Sequence, residues 1–416
     1  MDPSVRSLRS LDVVNIFMAD VKDGVGVYLS VYLLTVHHWD PSQIGIVVAL
    51  PWLVAILVQS PVGSLIDHTT HKRLLLVVAS AVVALSCIVV VRVPAFYPIA
   101  ASQVALGFVQ TIFPPCVAAI SLGMVGHARI ARRIGRNESF NHAGNMLAAV
   151  VSVVIGWYIS YAGIFYFSVA QCVAIVVATM LIREHDIDHD LARAAHDHDV
   201  ATGSFWHGLK QLFGNRDIAC FTVAVGLWNV ANGAMLPLVG QKLGIDDVEN
   251  SVVYLSACII IAQTVMIVVA PLAGRISERG RKRIFVVAFV LVPVRAALFA
   301  LVDDRYALIS FQLIDGLGAG IYGVLSILMM ADLGKGTGRF NLLQGATYAA
   351  IGLGVALSSV LGGFVARSFG YSAAFLALGA VGVLATLFFV RFVREPTADP
   401  PRQAAGPHGA ALPAGP

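Results

Sequence analysis

Long apolar stretches separated by short polar segments run the length of the chain. A window of about 20 residues corresponds to a helix crossing a hydrocarbon layer of about 30 Å. With it, six apolar segments are found before residue 183, near 11–36, 42–66, 74–92, 97–125, 138–160 and 163–182. Six more follow residue 217, near 218–241, 250–273, 284–302, 306–332, 340–366 and 371–392. A chain in lipid must satisfy its backbone internally, and these segments are too long and too uniformly apolar for barrel strands. The pattern therefore predicts an all-α integral membrane protein with twelve transmembrane helices.

Charge orients the spans. With the N-terminus inside, the inner loops and tails hold 22 of the 28 Lys and Arg, and the outer loops hold Arg92, Lys242, Arg305 and Arg367. Lys22 and Arg295 fall within spans. Such an excess follows the positive-inside rule and predicts both termini on the cytoplasmic side of the cell (inner) membrane.

Composition agrees: 58% hydrophobic residues, 12% charged and a mean hydropathy of +0.80 exclude a soluble globular protein. They equally exclude a disordered chain, and the diffuse net charge of +4 excludes a nucleic-acid binder. Cys87, Cys116, Cys172, Cys220 and Cys258 are scattered singly through apolar segments, with neither disulfide nor metal spacing. The run after Arg6 and Arg9 is too long for a signal peptide and has no suitable cleavage site, so it is expected to be the first span.

The two sets of six read as copies. Asp20-Val-Lys-Asp23-Gly24 is matched 209 positions later by Asn229-Val-Ala-Asn232-Gly233. Gln103-Val-Ala-Leu-Gly107 is matched at the same offset by Gln312-Leu-Ile-Asp-Gly316. Gly63-Ser-Leu-Ile-Asp67, running into Lys72-Arg73, lies 211 before Gly274-Arg-Ile-Ser-Glu278 and its basic run, and Phe140-Asn141 recurs as Phe340-Asn341 at 200. The expected organisation is a six-helix bundle over 1–183, a cytoplasmic linker over 184–216, a second bundle over 217–395 and a disordered tail over 396–416. The linker carries His185, His189, His196, His198 and His207 among aspartates. It reads as a solvated connector, with a divalent-metal loop as the alternative.

The twelve spans, the long central loop and Gly63-x-x-x-Asp67 followed by basic residues resemble the major facilitator superfamily over about residues 10–395. His68 and Thr70 stand where the superfamily's signature usually has Arg and Gly, and the second copy has Glu278. The resemblance implies two pseudo-symmetric six-helix bundles. It also implies that Gly63, Asp67, Lys72, Arg73, Gly274 and Glu278 gate the cytoplasmic side, latching the outward-open state. Gly63 would admit a close helix, and Asp67 would accept hydrogen bonds from a helix N-terminus or an Arg.

Charges near the bilayer centre are costly and must face a cavity or a partner. Asp20 and Asp23 share a helix face close to the midplane, and pseudo-symmetry sets Asn229 and Asn232 across a cavity from them. Carboxylates can carry protons and amides cannot, so Asp20 or Asp23 is the expected proton-coupling or substrate-binding group, unless Lys22 neutralises it as a structural pair. Arg295 and Asp315, at similar depth, are expected to pair structurally. Asn141, His142 and Asn145 in the fifth span, with Glu138, form a polar wall suited to a substrate path or to interhelical bonding. Gln103 and Gln312 are further candidates.

No P-loop, GxSxG or HExxH is present. The chain is expected to be no enzyme, to hold no cofactor or metal, and to work as a monomer in the lipid bilayer on a small-molecule substrate and protons. The preferred reading is a proton-coupled secondary transporter, with export slightly favoured. Uptake of an organic solute and export of a divalent metal or its chelate are alternatives, and a non-transport polytopic protein is the least favoured. The superfamily's drug antiporters usually carry Arg where Gln103 stands, and the sugar-porter motif is absent from 183–190. A reporter active only outside the membrane is expected to be active when fused after residue 304 and silent after residue 395; activity at both would refute the orientation.

Overall fold

The computed structural model describes residues 3–23, 25–126, 129–188, 213–277, 280–334 and 340–395, apart from some side chains within them. The first span runs as helix over Val5–Asp23 and Val25–Thr35, on either side of residue 24. The second to sixth spans are Pro41–His68, Lys72–Arg92, Phe96–Gln110 with Phe113–Val125, Ile130–Tyr158 and Tyr161–Leu181. The seventh to ninth are Arg216–Asn232 with Met235–Asp246, Ser251–Ile276 and Arg281–Leu301. The tenth to twelfth are Arg305–Ser310 with Gln312–Gly334, Phe340–Phe369 and Tyr371–Phe392. Among the described residues, eleven spans, the second to the twelfth, are long and apolar enough to cross a membrane.

Local chemistry explains the starts and interruptions. Asp40 caps the second span, accepting from the Ser42 and Gln43 amides, with Pro41 in the first turn where a missing N–H costs nothing. Pro114 and Pro115 cannot continue the fourth span from Gln110, and helix resumes with them in its first turn. At the interruption of the seventh span, the amide of Ala234 donates to Ser358 Oγ of the eleventh at 2.8 Å, so the freed group stays satisfied.

The helices form two pseudo-symmetric six-helix bundles. In the first, the first span packs on the fifth and sixth, the third on the fourth and sixth, and the second on the fourth. Adding six to each ordinal gives the packing of the second bundle. Each bundle has its own apolar core.

Glycines show why the sequence repeats. In lipid no hydrophobic force drives helices together, so small residues that let backbones approach carry the packing. A Cβ on Gly107 would lie 2.5 Å from the Pro51 carbonyl oxygen, and one on Gly316 would lie 2.5 Å from that of Ala262. The same holds for Gly144 against Ile16 and for Gly354 against Gly226. This last pair corrects the register read for the fifth and eleventh spans. Gly144 corresponds to Gly354, an offset of 210, whereas the Phe-Asn match puts it at 200. The fifth helix also starts at Ile130 rather than near 138, so Arg132, Arg133 and Arg136 are helical.

Gly144→Leu should clash with the first span's backbone and destabilise the protein by about 1–3 kcal/mol, the usual cost of overpacking. Gly323, whose Cβ would meet nothing within 4 Å, should tolerate alanine without loss. Thermal unfolding in detergent checks both.

Candidate functional site

The two bundles meet at the end of the molecule away from the chain termini. There the second span packs on the eleventh, the fifth on the eighth, and Val25–Thr35 on Met235–Asp246. A Cβ on Gly45 would strike the Ser359 carbonyl, and one on Gly363 that of Pro41, so these two helices touch backbone to backbone. Tyr28 Oη and Ser256 Oγ share a hydrogen bond of 2.8 Å between the bundles, and Tyr161 Oη donates to the Tyr28 carbonyl at 3.2 Å. Arg367 of the eleventh span donates to Ser42 Oγ at 3.2 Å and lies 3.8 Å from the Asp40 carboxylate. At the opposite end of the same two helices, a Cβ on Gly63 or Gly345 would meet nothing within 4 Å.

Of the polar residues of the first and seventh spans, Asp20 and Asn229 are buried and Asn232 is half-buried. Asp20 is 6% exposed, and its charge is felt at Tyr28 of its own span and at Cys87 and Cys172 of the third and sixth. Asn229 donates to the Val225 carbonyl at 2.9 Å and to Tyr322 Oη at 2.7 Å. Tyr322 in turn stacks on Trp228, with centroids 3.7 Å apart and planes at 10°. Asn232 accepts from Arg295, which also ion-pairs with Asp315 and approaches Met235 Sδ at 3.2 Å. Asn229 and Asn232 turn towards partners in their own bundle because an unmatched polar group in hydrocarbon costs several kcal/mol. The side chains of Lys22 and Asp23 lie outside the described part.

The fifth span presents Asn141 and Asn145 half-buried and His142 exposed, while the Glu138 side chain is outside the described part. Gln103 and Gln312 are buried in equivalent places in the two bundles. Of the gating set, the Asp67 side chain and residue Glu278 lie outside the described residues. Lys72 is buried and donates to the Thr69 carbonyl at 2.7 Å. A Cβ on Gly274 would come no nearer than 3.7 Å to Val324. Arg73 grips the end of the sixth span, donating to the Thr179 and Met180 carbonyls at 3.4 and 3.2 Å and pairing with Glu184 at 3.5 Å. Lys282 repeats the arrangement on the twelfth, donating from Nζ to the Val390 carbonyl at 2.9 Å and from its amide to Glu395 at 3.1 Å.

One cluster was not found from sequence. Asp12 in the first span takes Arg133 at 2.7 Å and Arg136 at 2.7 Å, and Asn137 donates to Ser121 Oγ at 2.9 Å. Arg133 and Arg136, three apart on one helix face, were the available signal, hidden by counting that segment as a loop. No group of three or more His, Cys, Asp or Glu able to hold a metal occurs among the described residues. Most of the His-rich linker, 189–212, lies outside them.

Apolar helices in two like bundles, with charge buried inside each, define a multi-pass integral membrane protein. The sequence model of the Major Facilitator Superfamily matches residues 13–279 and 219–414, and the chain belongs to that superfamily. An uncharacterized MFS-type transporter of Mycobacterium tuberculosis (strain H37Rv) is 40% identical over 390 residues, 92% of each chain. A multi-drug resistance efflux pump PmrA homolog of Lactococcus lactis is 28% identical over 179 residues, 43% of each chain. Among solved structures, a mutant form of the nucleoside transporter NupG superposes with a TM-score of 0.79 at 15% identity, covering 93% of this chain and all of that one. That likeness is one of fold.

Asp40 offers a pH test of the closed end. Burial opposes its ionisation, but hydrogen bonds from Ser42 and Gln43, with the charge of Arg367, outweigh this and hold its carboxyl below its ordinary range. Its stabilisation is thus present above the unfolded value and lost as pH falls through the depressed one. Asp40→Asn should unfold at a lower temperature than wild type at neutral pH, and the difference should shrink as pH falls below the ordinary carboxylate range.

Proposed function

We propose that the protein is a secondary active transporter of a small solute, driven by protons and working by alternating access, with export its direction. The observation that carries this reading is the closure of the bundles at one end, through Gly45, Gly363, Tyr28 and Ser256, while Gly63 and Gly345 at the other end meet nothing among the described residues. Such a geometry is one of the two arrangements that rocking bundles must alternate between. The charge distribution supports placing the open end and both termini in the cytoplasm, in the inner membrane. The efflux role named for the Lactococcus lactis relative supports export.

In this reading, residues 1–183 and 217–395 are the moving bodies, joined by the 184–216 linker and followed by the 396–416 tail, and a single copy suffices. Asp20 or Asp23 carries the proton, since a carboxylate in a poorly solvated place holds and releases one in response to its surroundings. Asn141, His142 and Asn145 line the cytoplasmic approach. Asp67, supported by Gly63, Lys72 and Arg73, latches the cytoplasmic side when it closes, and Gly274 and Glu278 do so in the second copy.

In proteoliposomes with an imposed solute gradient across a panel of solutes, wild type should move protons in the direction opposite to the solute. Asp20→Asn or Asp23→Asn should lower proton flux by at least tenfold, the range in which a single acid-base group acts being about 10²–10⁴. Full coupling in both variants would remove these acids from the mechanism, and absence of transport for every solute would remove the transport reading.

A further inference from the structure

The two seams that shut the outer end are unlike. Where the second and eleventh spans meet, Arg367 lies 3.8 Å from the Asp40 carboxylate and donates to Ser42 Oγ at 3.2 Å. Among the described residues this is the one ion pair that joins the bundles. Two further outer cations spend their charge inside the second bundle: Lys242 lies 2.8 Å from Asp303, and Arg305 lies 2.9 Å from Asp247. The seam between the fifth and eighth spans offers no counterpart. The helix starts at Pro41 and Ser251 align Asp40 with Asn250, and the offset of 210 aligns Arg367 with Trp157. An amide and an indole cannot form an ion pair.

Each charge also has a local use. Asp40 caps the second span, and Arg367 sits in the last turn of the eleventh, where a cation suits the helix dipole. Local use alone does not require the guanidinium to reach the other bundle. Yet Ser42 Oγ donates to Asp40 Oδ1 and accepts from Arg367, so one hydroxyl ties both charges together.

We infer that Asp40, Ser42 and Arg367 form an ionic latch that holds the outer end shut and is released when the bundles part there. The inference rests on the alternating-access reading and adds to it the residues that set the balance between its two arrangements. The chemistry suits a latch. Hydrogen bonds from Ser42 and Gln43, with the charge of Arg367, hold the Asp40 carboxyl below its ordinary range, so it stays charged at neutral pH. The pair is open to water, the Arg367 side chain being 57% and that of Asp40 32% exposed. It is therefore weak enough to break in every cycle, and salt screens it.

The test uses the full chain in lipid nanodiscs and pulsed EPR distances across the outer end. Tyr97 and Tyr306, both exposed and 209 apart, stand at the outer starts of the fourth and tenth spans. Spin labels are placed there through Tyr97→Cys and Tyr306→Cys, and the five native cysteines, four of them buried, are checked for label in the chain without these changes. A short distance reports the shut end and a long one the open end. Asp40→Asn, which can still cap the helix, and Arg367→Gln should each raise the ratio of long to short about twofold to fivefold, the range that a half-exposed pair supplies. Combining the two should do no more than either alone, since a single interaction is lost once. Raising salt from about 0.01 M to 1 M shortens the screening length from about 30 Å to 3 Å. This should raise the ratio in the chain with an intact latch and leave the doubly substituted one unchanged. Equal ratios in every chain and at both salts would overturn the latch. So would additive effects of the two substitutions, which would mean that each charge serves only its own helix. The salt arm needs no substitution at the latch, so it decides the matter even where a variant fails to fold. Failure of the latch beside intact transport of the solute panel in proteoliposomes would leave the transport reading standing; absence of all transport would remove both.

Discussion

Helices in a bilayer gain nothing from hiding apolar surface from one another, because lipid tails are as apolar as leucine. What binds them is close van der Waals approach, and in this protein glycine governs where that approach occurs. Gly107 and Gly144 in the first bundle, and Gly316 and Gly354 in the second, each bring a neighbouring backbone to a distance that any side chain would forbid. Because the four sit at equivalent places, the same helix pairings arise twice. The Arg73 and Lys282 contacts then tie the ends of the sixth and twelfth spans to the starts of the third and ninth, again in equivalent positions. Pseudo-symmetry is thus a consequence of a few positions where size is fixed.

The polar chemistry does not share that symmetry. Asp12 with two arginines belongs to the first bundle alone, where the equivalent place in the seventh span is apolar Phe221. Arg295 with Asp315 and Asn232 belongs to the second, where the third span of the first bundle offers Ser86 and Cys87 instead. A common frame with unlike linings is what allows two halves of one fold to divide tasks such as ion handling and solute recognition.

The frame was legible in the sequence because its causes are local. Hydrophobic length marks each span, and the glycines at 107 and 316 repeat because nothing else fits. The Phe140 and Phe340 match misled because a likeness of two residues carries no fixed size, whereas Gly144 and Gly354 are each held to one by the backbone they meet. The site was less legible. Asn229 and Asn232 were recognisable as polar groups at depth, but the direction each faces depends on partners such as Tyr322 and Arg295, which lie on other helices at separations that spacing cannot reveal. Arg133 and Arg136 passed for loop charge because positive residues gather at cytoplasmic interfaces whether or not they are helical. The paired burial of Gln103 and Gln312 followed from the repeat.

The seam between Gly45 and Gly363 has an energetic corollary. Two bare stretches of main chain, already hydrogen-bonded within their helices, expose little fresh surface when they part, and the side chains that lose partners there are Arg367, Ser42 and Asp40, close to the membrane surface. The free-energy gap between joined and parted forms is then small enough for modest differences in ligand or proton affinity to tip it. A seam filled by interlocked leucines would bind more firmly and switch poorly.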